Sequence, residues 1–324
     1  MSALRSLTVS EQVALLFVIL FGALLLASIG WFVLSLREMD EPAQQRHARF
    51  KRDLRIVWVG AAIFWLAWMA GPLGATLLFG TVSFLALREF ITLLPTRRGD
   101  HRSLIFAFFV VLPAQFVLVG GRFFDLFTVF IPVYVFLAVP VLSALADDPQ
   151  RFLERNATIQ WGIMVCIYGL SHAPALLLLE FPGYRGRGAF LLFFLVVVAV
   201  VAQIVQEAAS RRLRRRPLAR HIDRSFSLRA WITGTSIAAL LGAALYWITP
   251  FRAPQALALA FIVAGSGTLG DLVMRALKKD AGVAYWGNTS SVTGAVGLLD
   301  RIAPLAFAAP VFFHSIRWYF NLNP

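Results

Sequence analysis

Residues 188–208 read GAFLLFFLVVVAVVAQIVQEA, with no charge before Glu207. A helix needs about 20 consecutive, mostly apolar residues to cross the hydrocarbon of a bilayer, and this stretch supplies them. Comparable runs recur near 12–36, 56–70, 73–94, 104–120, 125–146, 158–180, 230–249, 255–274 and 303–320, so the sequence predicts about ten spans. The composition agrees: 59% of the 324 residues are hydrophobic and the mean hydropathy is +0.74, far more apolar than a soluble domain tolerates. The expected fold is all-α, a polytopic transmembrane helical bundle forming a single integral membrane domain over 1–324. It carries a basic cytoplasmic loop at 209–229 and a cytoplasmic signature loop at 270–301. Gly71-Pro72 and Gly120-Gly121-Arg122 read as tight hairpins between spans. The first apolar run exceeds a signal-peptide core and no small-residue cleavage site follows it, so it reads as a retained helix.

Orientation follows from the basic residues, which are retained on the cytoplasmic side of a membrane. Of the 30 Lys and Arg, 23 fall in alternate loops, at 37–55, 97–102, 151–155, 211–229 and 275–301. The opposite loops and ends hold Arg5, Arg122, Arg185, Arg187, Arg252 and Arg317. Both termini are therefore expected outside and every long polar loop in the cytoplasm.

The formal charge of +13 raises a nucleic-acid reading, but no nucleic-acid module is present. The run Arg211–Arg216 follows a span directly, where each basic residue gains about 1 kcal/mol from anionic lipid. A contact between this run and a substrate phosphate stays open. Cys166 is the sole cysteine, which excludes an internal disulfide and a cysteine metal site. The five histidines show no i, i+4 pair, and Ser171-His172 reads as a structural hydrogen-bonded pair facing the bundle interior. Gly265-Ser266-Gly267-Thr268-Leu269-Gly270 fits the dinucleotide fingerprint by letter only. Inside a span, small residues at this spacing let helices approach closely. No internal repeat of the kind a secondary transporter carries is visible.

The chemistry-bearing stretch is 270–301, GDLVMRALKKDAGVAYWGNTSSVTGAVGLLDR. On a helix, Asp271, Arg275 and Lys278 share one face at i, i+4 and i+7, with Lys279 beside it. A charge this close to hydrocarbon is costly unless paired or solvated, so Asp271 and Arg275 are a natural ion pair. Lys278 and Lys279 can neutralise phosphate oxygens, Asp271 and Asp300 can hold a divalent cation, and the loop glycines allow close approach of backbone to phosphate. On spacing alone, these charges equally fit a loop that snorkels to lipid headgroups.

The segment GDLVMRALKKDAGVAYWGN, with LLDRIAPLAFAAPVFFH after it, resembles the carboxy-terminal signature of the phosphatidate cytidylyltransferases, or CDP-diacylglycerol synthases. Gly270, Asp271, Leu272, Lys278, Gly282, Val283, Gly287, Leu299, Asp300 and Arg301 match it, with Lys279 in a basic position. Weaker likeness runs upstream through LALREFITLLPTRR at 85–98 and covers most of the chain. The resemblance implies attack of a phosphatidate oxygen on the α-phosphorus of CTP, giving CDP-diacylglycerol and pyrophosphate. It implies Asp271, Lys278 and Asp300 as catalytic residues, and Lys278, Lys279, Arg301, Gly287 and Asn288 as phosphate-binding residues. It further implies Mg2+ held by Asp271 and Asp300, joined by Glu207 or Asp280. CTP, phosphatidate and membrane lipids are the implied partners, in a homodimer at a bacterial inner membrane.

The sequence departs from that signature at several positions. Ala284-Tyr285 stands where the family has Lys-Asp, Ala303 replaces its final Asp, and Arg275 replaces a Ser. The stretch SSVTGAVG replaces a His-containing turn, Val200 stands where an Asp is expected, and Ser225–Trp231 lacks the family's Lys and Glu. A non-catalytic paralogue that binds lipid or partners phospholipid-synthesis enzymes is therefore the alternative expectation.

Overall fold

The structure is a computed structural model that describes residues 7–36, 69–92, 95–181, 184, 186–213, 216–283 and 297–322, with scattered positions between 40 and 65. All of the regular structure among the described residues is helical. Among the described residues, seven helices are long and apolar enough to cross a membrane. The expected span at 56–70 falls largely outside the described residues. The chain divides into two compact units, Met1–Gly74 and Ala75–Pro324.

The amino-terminal unit is built on α1 (Val9–Ser35). Thr8 caps it reciprocally with Glu11: the Thr8 Oγ1 accepts the Glu11 N–H at 3.4 Å, and the Glu11 carboxylate accepts the Thr8 N–H at 2.7 Å. Polar edges of aromatic residues find partners on α1, since Trp58 Nε1 donates to Ser28 Oγ at 3.1 Å and His47 Nε2 donates to the Trp31 carbonyl at 2.9 Å.

The second unit begins within α2 (Gly71–Thr92), which is followed by α3 (Arg98–Gly120), α4 (Phe124–Ala144) and α5 (Phe152–Leu178). Each of α3, α4 and α5 contains a π-helical turn, at Ala107–Val111, Phe130–Val135 and Ile163–Gly169. In hydrocarbon, a carbonyl that loses its ladder partner must find another donor inside the protein. Pro132 has no N–H for the Thr128 carbonyl, which instead accepts from the Tyr168 hydroxyl at 3.4 Å. Pro140 likewise frees the Phe136 carbonyl, and Gln160 Nε2 donates to it at 2.9 Å. The Cys166 carbonyl, within the π turn of α5, accepts from the Ser83 hydroxyl of α2. Side chains of α5 and α2 thus repair the irregular helices and fix their mutual register.

The remaining helices are α6 (Gly188–Arg212), α7 (Leu228–Ala244), α8 (Ala253–Asp280) and α9 (Leu299–Tyr319), with α6, α7 and α8 packed on one another and α9 packed on α8 and α5. Small residues set these approaches: Gly169 lies against the Ala306 backbone, Gly242 against Ala260, and Gly267 against Pro304 and Ala308. The Gly265–Gly270 stretch therefore serves helix packing, as its position in a span predicts. Phe194, Phe251 and Phe312 fill the core between α6 and α9.

Helices outlast the apolar runs that announce them. α6 continues to Arg212 rather than 208, α8 to Asp280 rather than 274, and α5 begins at Phe152 rather than 158. Apolar periodicity marks only what hydrocarbon or core must cover, whereas backbone hydrogen bonding carries the helix into polar surroundings. One expectation is corrected. Ser171 and His172 do not bond each other: the Ser171 hydroxyl and His172 Nδ1 both donate to the Tyr168 carbonyl, at 2.8 and 2.7 Å, because both point back along their own helix.

Candidate functional site

The charged residues of the signature stretch meet where α8 ends and α9 begins. One face of α8 presents Asp271, Arg275 and Lys278, as their spacing requires. Arg275 Nε and Nη2 lie 2.9 and 2.8 Å from Asp271 Oδ2. Its Nη1 donates to Asp223 Oδ2 at 3.0 Å. Lys278 pairs with Asp300 of α9. Asp271, seven residues before Lys278 on the same helix, lies within electrostatic reach of both Lys278 and Asp300. Lys279 faces the loop before α7, its ammonium donating to the His221 carbonyl at 2.7 Å. Arg301 is exposed beside Asp300.

Helix ends suit these charges. Lys278 and Lys279 lie in the last turn of α8 and Asp300 in the first turn of α9, each opposite in sign to the local end of the helix macrodipole. α8 closes through Gly282, whose φ of +69° a residue with a Cβ adopts only with strain. The Val283 N–H then reaches back to the Lys278 carbonyl at 3.0 Å. Gly270 has a different reason: a methyl group there would run into the Phe307 ring of α9, so glycine at this position sets the distance between the two helices.

Two acids join the cluster from afar. Glu89 of α2 is 2% exposed, and its carboxylate accepts the Leu298 and Leu299 N–H groups at 3.0 and 3.1 Å, capping α9. The candidate residues taken from the signature omit it, although an acid inside an apolar span is itself a signal. Asp223 is held by Ser225, whose backbone N–H and hydroxyl both donate to Asp223 Oδ1 at 2.7 Å. Glu207 pairs with Arg211 at an exposed position of α6 while standing within electrostatic reach of Arg275, and Asp280 is exposed at the end of α8. Gly287 and Asn288 lie outside the described residues.

A model of the cytidylyltransferase family matches residues 50–319, which includes every member of this cluster. The chain belongs to the cytidylyltransferase family. A relative, the Escherichia coli (strain K12) protein called Uncharacterized protein YnbB, is 36% identical over 270 residues, covering 82% of this chain and 87% of its own length.

For a cytidylyltransferase of the resembling kind, Asp271 and Asp300 are the acids expected to hold magnesium. Here each is already bonded to a cationic side chain, Arg275 and Lys278. Ala303, standing where a further acid is expected, is fully buried among apolar residues. Among the described residues no three His, Cys, Asp or Glu side chains group as metal ligands do. As they stand, these donors do not fit a divalent ion, which needs oxygen lone pairs that face it.

Proposed function

We propose that this protein is a phosphatidate cytidylyltransferase-like enzyme of phospholipid biosynthesis, acting at a bacterial inner membrane with both termini outside. A phosphatidate oxygen forms a bond to the α-phosphorus of CTP. The bond from that phosphorus to the bridging oxygen breaks, and pyrophosphate leaves with the electron pair. The observation that supports this reading is the pairing of Lys278 with Asp300 at the α8–α9 junction, with Asp271 within electrostatic reach of both, in a chain of the cytidylyltransferase family.

In this reading Lys278, Lys279 and Arg301 neutralise the triphosphate, whose charge otherwise repels the phosphatidate headgroup. Asp300 holds the Lys278 ammonium in position, and Asp271 does the same for the Arg275 guanidinium. Positioned cations in a partly dried site stabilise an in-line displacement without reorganising during the reaction. A homodimer is the assembly in which we expect the enzyme to work.

Purified protein in detergent, given phosphatidate and CTP carrying label in its cytidine, is expected to form a labelled lipid. Asp300→Asn, which frees the Lys278 ammonium from its anchor, is expected to lower the rate about 10²–10³-fold, the usual loss for one preorganised charge. A second reading, a non-catalytic lipid-binding paralogue, is favoured by the engagement of Asp271 with Arg275. Retained phosphatidate binding with no labelled lipid under any cation condition would select it.

A further inference from the structure

The Arg275 guanidinium lies between two carboxylates from different parts of the chain. It meets Asp271 of its own helix at 2.8 Å and Asp223 of the loop before α7 at 3.0 Å. Both acids are mostly shielded, with side chains 14% exposed. Asp223 cannot swing away cheaply, because Ser225 binds its second oxygen through two hydrogen bonds. A divalent cation between two such acids would draw on the same lone pairs that Arg275 now occupies, and the guanidinium offers only donors in return. We infer that Arg275 is a built-in cation standing where a divalent metal would sit between Asp271 and Asp223, so that this site binds phosphate without a metal ion.

Donor counting supports the assignment. A guanidinium has five N–H bonds, and the contacts to Asp271 and Asp223 engage three of them. Two remain for an anion, on a side chain 43% exposed and one helical turn from Lys278. The neighbouring acid Asp300 is neutralised in the same way by Lys278. Asp271, Asp223 and Asp300 thus each bond a cationic side chain that the chain itself supplies. The fork also ties the 217–227 loop to α8, a task for which the planar geometry of arginine suits better than an ammonium.

The inference rests on reading the site as one for phosphate, and its test separates the two. Manganese binding to the detergent-purified full chain is followed by electron paramagnetic resonance, for the wild type, Asp271→Asn, Arg275→Ser and Arg275→Ser with Asp271→Asn. Wild type and Asp271→Asn are expected to bind manganese equally weakly. Arg275→Ser is expected to bind at least about tenfold tighter, and the added Asp271→Asn to cancel that gain. Two results overturn the proposal: wild-type manganese binding that weakens in Asp271→Asn, or no gain in an Arg275→Ser protein that melts as the wild type does. The first comparison needs no arginine variant, so a misfolded Arg275→Ser leaves the proposal falsifiable. Equilibrium binding of labelled CTP to the wild type in EDTA gives the second arm. Retention within twofold of the value in magnesium is expected, and a strict metal requirement would overturn the metal-independent site. Failure of CTP to bind under either condition removes the nucleotide reading and with it the claim of metal-free phosphate binding, while the manganese comparison still decides the place of Arg275.

Discussion

Arg155 shows what one buried charge demands of its surroundings. It is 6% exposed, yet Nε lies 2.8 Å from Asp100 and Nη1 2.9 Å from Asp148, with the Asp148 and Gln150 carbonyls accepting further bonds. This cluster pins the start of α3 to the start of α5. Removing one partner of a buried pair leaves an uncompensated charge, so Asp100→Ala is expected to cost about 3–5 kcal/mol. A lowered melting temperature in detergent, with the loss reduced in Asp100→Ala with Arg155→Met, is the measurement. The exposed pair Arg151–Glu154 sits close by, with both side chains more than half exposed. Its removal is expected to shift the melting point little. Within the candidate site the same distinction applies. Lys278 is 18% exposed and paired, whereas Lys279 is exposed and bonds only a carbonyl among its described contacts. Lys278→Gln is therefore expected to lower kcat, and Lys279→Gln to raise KM for CTP, in a steady-state assay of the labelled lipid.

At the scale of elements, helices are held at their irregularities. α4 would lose a hydrogen bond at Pro140 without Gln160 of α5, which donates to the freed Phe136 carbonyl. Gln160→Leu is expected to destabilise by about 1–3 kcal/mol, the cost of an acceptor left unmet in hydrocarbon. Pro140→Ala restores an N–H to the ladder, so in that background Gln160→Leu is expected to cost clearly less, read as a coupling in a double-mutant cycle of melting temperatures. Glycine placement makes the second prediction. Gly270→Ala pushes a methyl group into Phe307 and separates α8 from α9, at an expected cost of about 1–3 kcal/mol. A drop in melting temperature would register it, and the accompanying Phe307→Leu is expected to recover part of the loss.

At the scale of the whole molecule, the lone Cys166 is fully buried, so the native chain offers no thiol to an impermeant maleimide. Arg220→Cys in the basic loop is expected to label only in inverted vesicles, and Asn321→Cys beyond α9 only from outside. The opposite pattern would reverse the proposed orientation. How much could be read in advance differs by feature. Apolar runs announce the spans because burying them from water dominates every other term, and the spacing of Asp271, Arg275 and Lys278 announces a shared face because helix geometry is local. The ends of α5, α6 and α8 were not legible, since hydrogen bonding extends a helix past its apolar stretch. The Asp271–Arg275 pair was legible from its i, i+4 spacing, but the second partner of Arg275 and the cap of the α9 N-terminus were not, because Asp223 lies 52 residues from Arg275 and Glu89 209 residues from Leu298. The sequence by itself determined that this chain is a bundle of apolar helices with its cations and acids gathered at 270–301, because composition and periodicity act residue by residue. Beyond the Asp271–Arg275 pair within α8, only the tertiary structure decided which acid meets which cation, because a charge near hydrocarbon takes whichever partner the packing of distant helices brings within about 3 Å.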